Sequence, residues 1–348
     1  MQRAVNALTL AECREWAMQQ GFPAFRGNQL FHYFHVERKR DILQAAVLPK
    51  TVRERAANLP LRTVQKVKRL SSRDGSAKYL LALEDEAIIE TVFMPYADRT
   101  TLCVSTQVGC RMGCRFCAST KADFVRNLQA EEILAQVYRV EEWENTTITR
   151  IVLMGIGEPM DNWEEVLRFI HLVTAPEGKN LSERHITLST CGIVPGIRRL
   201  REENLAINLA ISLHATSDER RGRTMPIARR YAIAELLAAC DAYFAQTGRR
   251  ISFEYALIQG ENDRDEDLRW MSKHLVGPQY HVNLIPLNTI DEFRGQSADE
   301  RALIRFAERL QKNGVHVSIR QKRGQDIDAA CGQLRVLYEK EEDRKSVV

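Results

Sequence analysis

The 348-residue sequence predicts an α/β protein: a parallel sheet closed wholly or in part as a (β/α) barrel, behind a small helical N-terminal domain. Two patterns carry this. From about residue 100, short β-branched runs alternate with amphipathic helical stretches six or seven times, as parallel strands with right-handed crossovers require. Before that, apolar residues recur at helical spacing. Hydrophobic residues at 44% and charged residues at 28% are ordinary for a folded globular chain and exclude a disordered, collagen-like or coiled-coil rod. The length suits about two domains, or one large α/β domain with an appendage.

The first helix is LTLAECREWAMQQ, with Thr9 as its N-cap and Glu12 three residues on. GNQLFHYFHVE and LPKTVRERAANL extend a helical domain over residues 1–75. SAKYLLALEDEAIIETVFM holds two β-like runs around Glu84 and Asp85, a hairpin within 76–98. The barrel follows over 99–338, with strands at 101–105, 150–154, 185–189, 207–213, 251–258, 281–287 and 316–320. QAEEILAQVYRVEEW, WEEVLRFIHLV and ADERALIRFAERLQKNG are intervening helices, the last stopped by Gly314. The charged end, 339–348, reads as a frayed tail.

No apolar run reaches the roughly 18 residues of a membrane helix. Glu12, Arg14 and Glu15 interrupt any leader, so a cytoplasmic, reducing compartment is expected. A net charge of +4 means that any nucleic-acid surface is local. Candidate phosphate contacts are Arg26, Arg38, Lys39, Arg40, Lys50, Arg53, Arg55, the run Arg220, Arg221 and Arg223, the pair Arg229 and Arg230, and Arg320 through Arg323; each also reads as a solvated face.

Of eight cysteines, Cys13 and Cys240 read as small buried hydrophobes. Cys110, Cys114 and Cys117 lie together in a Cx3CxxC loop after the first barrel strand. A structural zinc wants four closed ligands, usually as two pairs. Three thiolates suit a 4Fe–4S cluster with one iron left free to chelate S-adenosylmethionine. Unusual residues also follow other strands: Gly157 and Glu158, Cys191, His214, Asn288, and the loop of Asp326, Asp328 and Cys331. In a barrel these share one mouth.

The Cx3CxxC loop resembles that of the radical SAM superfamily, and Phe116 matches the aromatic that such enzymes lay against the adenine of the cofactor. GCRMGCRFCAST…VRNL, MGIGEPMDN, LSTCGIVPGI, LAISLHA, HVNLIPLN and DIDAACGQLR resemble the RlmN/Cfr family of RNA adenine methyltransferases, the RlmN branch more than the Cfr branch. The resemblance implies a radical SAM partial (β/α)6 barrel and C2-methylation of adenine in 23S rRNA and tRNA, using two S-adenosylmethionine molecules per turnover. It implies that Cys331 carries the methyl group as S-methylcysteine, that Cys103 resolves the protein–RNA crosslink and leaves a disulfide, and that Glu90 accepts a proton. Gly157, Glu158, Ser189, Ser212, Leu213, His214 and Asn288 match cofactor-contacting positions. A flavodoxin or ferredoxin as electron donor, a thiol reductant and a monomeric state are implied partners and assembly. Alternatives are a Cfr-like C8 methyltransferase and a zinc-stabilised RNA-binding protein without catalysis. Two departures stand out: Cys191 occupies a position where the family often has serine, and KADFVRNL replaces a glycine-rich segment.

Overall fold

Thr9 and Glu12 open the first helix with a reciprocal cap: the Glu12 amide donates to Thr9 Oγ1 at 3.3 Å and the Thr9 amide to Glu12 Oε2 at 2.7 Å. In the computed structural model, which describes residues 3–288 and 290–334, the head is built from α1 (Leu10–Gln19), α2 (Phe25–His35) and α3 (Lys50–Ala56). The expected tail, 339–348, lies outside the described residues. α1 and α2 meet at Gly27, where an added Cβ would sit 2.4 Å from the Arg14 and Cys13 backbone.

The strands are β1 (Gln65–Ser71), β2 (Ala77–Ala82), β3 (Ile88–Pro95) and β4 (Thr100–Cys103), then a short ribbon of β5 (Gln107–Val108) and β6 (Arg126–Asn127). After α4 (Ala130–Glu144), strands and helices alternate: β7 (Arg150–Leu153), α5 (Trp163–Thr174), β8 (Ile186–Thr190), α6 (Val194–Glu202) and β9 (Asn208–Ser212). Next come α7 (Asp218–Thr224), α8 (Ile233–Thr247), β10 (Ile251–Leu257), α9 (Asp265–His274), β11 (Tyr280–Pro286), α10 (Glu300–Lys312) and β12 (Val317–Ile319).

One sheet takes the order β1-β2-β3-β4-β7-β8-β9-β10-β11-β12. From β4 onward every neighbour is parallel. Six strand–helix units, each strand followed by a covering helix, therefore form the partial barrel, and β12 adds a seventh strand at its open edge. β1, β2 and β3 pair antiparallel and join the barrel through β3 and β4, so the hairpin prolongs the barrel sheet.

β1 corrects the reading of the first 70 or so residues as helical. Its sequence, QKVKRLS, is charged and mostly exposed, and it bulges between Lys66 and Lys68. A solvated edge strand guarded by lysines buries no face and leaves no alternation to read.

The head is tied to the barrel by ion pairs onto α4 and α5. Arg168 Nη1 reaches Glu12 at 2.7 Å, Arg62 Nη1 reaches Glu131 at 2.8 Å, and Arg38 Nη1 reaches Glu141 at 2.7 Å. Glu131 and Glu141 are buried; Glu141 is also held by Lys179 and by the Ile148 amide, whereas losing Arg62 takes from Glu131 its ion-pair partner at a cost of about 3–5 kcal/mol. No helix among the described residues is long and apolar enough to cross a membrane.

Gly27→Ala is expected to destabilise the protein by roughly 2 kcal/mol through overpacking between α1 and α2. Urea unfolding reads this directly; an unchanged midpoint would show that the helices separate without cost.

Candidate active site at the mouth of the barrel

The carboxyl ends of the parallel strands open onto two adjoining cavities. The first, of about 140 Å³, is lined by Cys110, Cys114, Cys117, Phe116, Gly157, Glu158, Ser189, Ser212, His214, Asn288 and Cys331. The second, of about 460 Å³, is lined by Cys103, Cys331, Asn288, Arg99, Arg320, Lys322 and Arg323 among others. Two expected site residues line neither. The Leu213 side chain is in the main apolar core, and only its carbonyl takes part in the mouth. Glu90 is fully buried on β3.

The three-cysteine loop is held from within and from across the barrel. Thr120 Oγ1 donates to the carbonyls of Cys114 and Cys117 at 3.0 and 2.9 Å, and the Arg115 amide donates to Thr224 at 2.8 Å. Burial pushes the Cys110 thiol up to about 12, and burial with its cysteine neighbours pushes Cys114 well above the usual thiol range. Burial raises Cys117 as well. Three thiols so disposed resist ionising unless a cationic centre ligates them. Among the described residues, no three His, Cys, Asp or Glu side chains close around a single ion. A four-iron cube takes each thiolate at a separate corner, so a 4Fe–4S cluster fits this trio better than a four-ligand zinc site.

Gly157 and Glu158 form the opposite wall. Gly157 has φ +108°, and a Cβ there would strike Gln107 Cβ at 2.6 Å. The Glu158 carboxylate accepts from the Cys191 amide at 2.8 Å and the Met160 amide at 3.1 Å. Burial nevertheless raises its pKa. His214, at φ +53°, accepts from the Ala256 amide at Nδ1, 2.9 Å away, which fixes the Nε2–H tautomer. Burial, then the nearby Arg221 charge, lowers its pKa to about 3, so it is neutral in use. Phe116 meets the His214 ring edge-on at 4.6 Å and packs with Phe293, Ile285 and Leu287 in an apolar slot.

The two remaining thiols differ sharply. Cys103 is buried on β4, and burial, then Cys331, pushes its thiol up to about 12. Cys331 is exposed. Arg320 lines both cavities; burial opposes its charge, but Cys331, Glu254 and Cys103 more than offset this and hold it protonated. The segment carrying Cys331 is stitched to the mouth: Ala118 donates to the Gly332 carbonyl at 2.7 Å and Asn288 Nδ2 to the Cys331 carbonyl at 3.0 Å.

Several basic candidates are committed elsewhere. Arg221 is buried and donates to the carbonyls of Cys191, Ser212 and Leu213 at 2.7, 3.0 and 3.1 Å, bracing two strand ends. It is therefore no phosphate contact. Arg220 pairs with Asp267 at 2.8 Å and Arg38 with Glu141. Sequence reading also passed over Lys78, which touches Glu90, and Phe293. The run of arginines hid the first correction, because a basic string shows nothing of which member turns inward.

An open parallel barrel with a three-cysteine loop at its mouth is the architecture of a radical SAM enzyme, and the Radical SAM superfamily model matches residues 104–271. A crystal structure of a radical SAM methyltransferase from Sphaerobacter thermophilus superposes with a TM-score of 0.90 at 43% identity, covering 95% of this chain and 99% of that one. A probable dual-specificity RNA methyltransferase RlmN from Lachnoclostridium phytofermentans is 43% identical over 96% of this chain and 94% of its own length. A relative of the same name from Clostridium perfringens is 44% identical over 97% and 98%. The chain belongs to the RlmN family of radical SAM RNA methyltransferases. The cofactors of that superfamily are a 4Fe–4S cluster and S-adenosylmethionine.

Gly157→Ala is expected to weaken S-adenosylmethionine binding about tenfold or more, roughly 1.4 kcal/mol, with iron content unchanged. Equilibrium dialysis checks this, and unaltered affinity would remove Gly157 from the cofactor wall. With iodoacetamide at pH 8, Cys331 should label while Cys103 stays protected, becoming reactive only as pH approaches the raised thiol value. Peptide mass spectrometry giving equal rates would contradict the burial of Cys103.

Proposed function

We infer that the protein methylates C2 of adenine in 23S rRNA and tRNA, using Cys331 as a methyl carrier and Cys103 as the resolving thiol. One observation carries the reading: Cys331 is on the wall of both cavities, beside the three cluster-spaced cysteines in one and beside Cys103 in the other. A carrier must meet the methyl donor on one side and the acceptor base on the other.

Cys110, Cys114 and Cys117 would hold the cluster, with Glu158, Gly157, Ser189, Ser212, His214 and Asn288 around S-adenosylmethionine and Phe116 against its adenine. Together these cofactors would supply one-electron chemistry: removal of a hydrogen atom from the carried methyl group, and a sink for the electron given back later. The Cys331 sulfur first takes a methyl group by ordinary displacement, losing its proton. C2 of adenine is an electron-poor ring carbon that cannot act as the nucleophile in such a displacement, which is why carbon-centred radical addition is needed. After the methylene on Cys331 has joined C2, Cys103, which lines that cavity, helps remove the ring proton; Glu90, buried on β3 and on the wall of neither cavity, is the acceptor at one remove. The Cys103 sulfur then attacks that of Cys331; the carbon–sulfur pair goes to the new methyl carbon, which takes up a proton, and a disulfide forms. A thiol reductant resets it, and a flavodoxin or ferredoxin feeds the electron.

The rim of the larger cavity supports an RNA substrate. Arg99 and Arg323 lie over the Tyr96 ring at 4.2 and 4.4 Å, beside Lys322. Such a cationic, planar edge suits phosphates and splayed bases. The helical head, α1 to α3, is assigned to RNA docking, and the setting to the cytoplasm.

Anaerobic turnover with methyl-deuterated S-adenosylmethionine on rRNA fragments and tRNA, read by nucleoside mass spectrometry, should yield deuterated 2-methyladenosine. Deuterated 8-methyladenosine would overturn the C2 assignment. Cys103→Ala should trap a protein–RNA adduct, and free product at the normal rate would refute its role. Cys331→Ala should give neither adduct nor product while keeping the iron–sulfur absorbance; loss of that absorbance would place Cys331 among the ligands.

A further inference from the structure

Lys78 is an ammonium buried to 1% exposure, the second residue of β2. Lysine is almost never fully buried without a partner, and here two groups receive it. Its Nζ is 3.1 Å from Glu90 Oε1 and donates to the Asp328 carbonyl at 3.1 Å.

The register explains how one side chain reaches both. Lys78 is opposite Val92, and Leu80 opposite Glu90, so all four share one face of the sheet and Lys78 meets Glu90 on the diagonal. Val92 in turn is opposite Cys103. On that same face Val92, Met94 and Cys103 pack against Ala329 and Leu334, the residues flanking Cys331. The Lys78 ammonium thus sits where the β2–β3 sheet meets the underside of the segment that carries Cys331.

The outer end of that segment has its own fastenings to the β1–β2 turn. Ser72 Oγ donates to Asp326 at 2.5 Å, the Arg73 amide to Asp326 at 3.1 Å and the Gly324 amide to Asp74 at 2.9 Å. Those to Asp326 are exposed and compete with water and salt. The Lys78–Glu90 pair is sealed from both, and the Lys78 bond to the Asp328 carbonyl is partly buried.

We propose that Lys78 is a positioning residue that joins Glu90 to the backbone of the Cys331 segment, holding proton acceptor and methyl carrier in register on one face of the sheet. The roles of Glu90 and Cys331 rest on the reading given above; the mechanical joint rests on the contacts alone. The residue acts through Glu90 and Asp328, without touching the reacting atoms.

Lys78→Met alone removes the ammonium that faces a buried carboxylate and risks unfolding, so the decisive pair is Glu90→Gln against the double variant Lys78→Met/Glu90→Gln. Hydrogen exchange is followed in the protein without substrate. In Glu90→Gln, residues 324–332 should exchange as in the wild type. In the double variant they should exchange about tenfold faster, with β7 to β10 unchanged. Equal exchange of 324–332 in the two variants, or a uniform rise across the sheet, would overturn the proposal. Lys78→Arg, which keeps a donor cation, should restore slow exchange and bring product formation within about fivefold of wild type at unchanged KM; rescue of neither would also count against it. The exchange readout needs neither S-adenosylmethionine nor RNA. A wild-type protein that makes no methyladenosine would thus sink the proposed function and leave the joint to be judged on exchange.

Discussion

A single backbone hydrogen bond, from the Ala118 amide to the Gly332 carbonyl at 2.7 Å, joins the three-cysteine loop to the segment of Cys331. Those two pieces of chain are more than two hundred residues apart; Ala118 opens a short 3-10 turn, Ala118–Thr120, and Gly332 lies outside any helix or strand. Around this bond the mouth is organised: Ser119 Oγ donates to the Leu334 carbonyl at 2.7 Å, and Asn288 holds the Cys331 carbonyl from the end of β11. If Cys331 were displaced by the width of a side chain, it would leave one of the two cavities it now shares. Positional tolerance of that order is what proximity catalysis demands.

The mouth concentrates buried charge in a region that would otherwise be apolar core. Glu158, Arg221, Lys78 and Glu90 are all buried, and His214 is held neutral beside Arg221. Each is answered by backbone groups or an opposite charge. Arg221 bonds three carbonyls, and Glu158 accepts two amides. Replacing such networks by apolar side chains can leave stability unchanged, so their value lies in geometry. They hold strand ends and loops at one set of positions, in a low-dielectric site where an incomplete network would be costly.

The fold was largely legible because its signals are local. Parallel strands buried on both faces read as β-branched runs, amphipathic helices separate them, and the Thr9–Glu12 cap is a four-residue motif. β1 escaped because an exposed, lysine-rich edge has no buried face. The cluster trio was legible from spacing, as was its neighbourhood with Gly157 and His214, since barrel chemistry collects at strand ends. The inward turn of Arg221 was not, nor were the partners of Lys78 and the place of Arg320 on the wall of both cavities.

By itself, then, the sequence determined what is written in short range: the alternation that makes the barrel, the three-cysteine spacing, and the family motifs. Tertiary structure alone decided which charged residues are interior, and that Cys331 is shared by two cavities. It also decided that a lysine on β2 fastens a segment 250 residues further along the chain. The physical reason is that burial and pairing of a charge depend on what the rest of the fold packs against it. Propensity and spacing describe only a residue's neighbours in sequence, and for Lys78 those neighbours are an ordinary half of a hairpin.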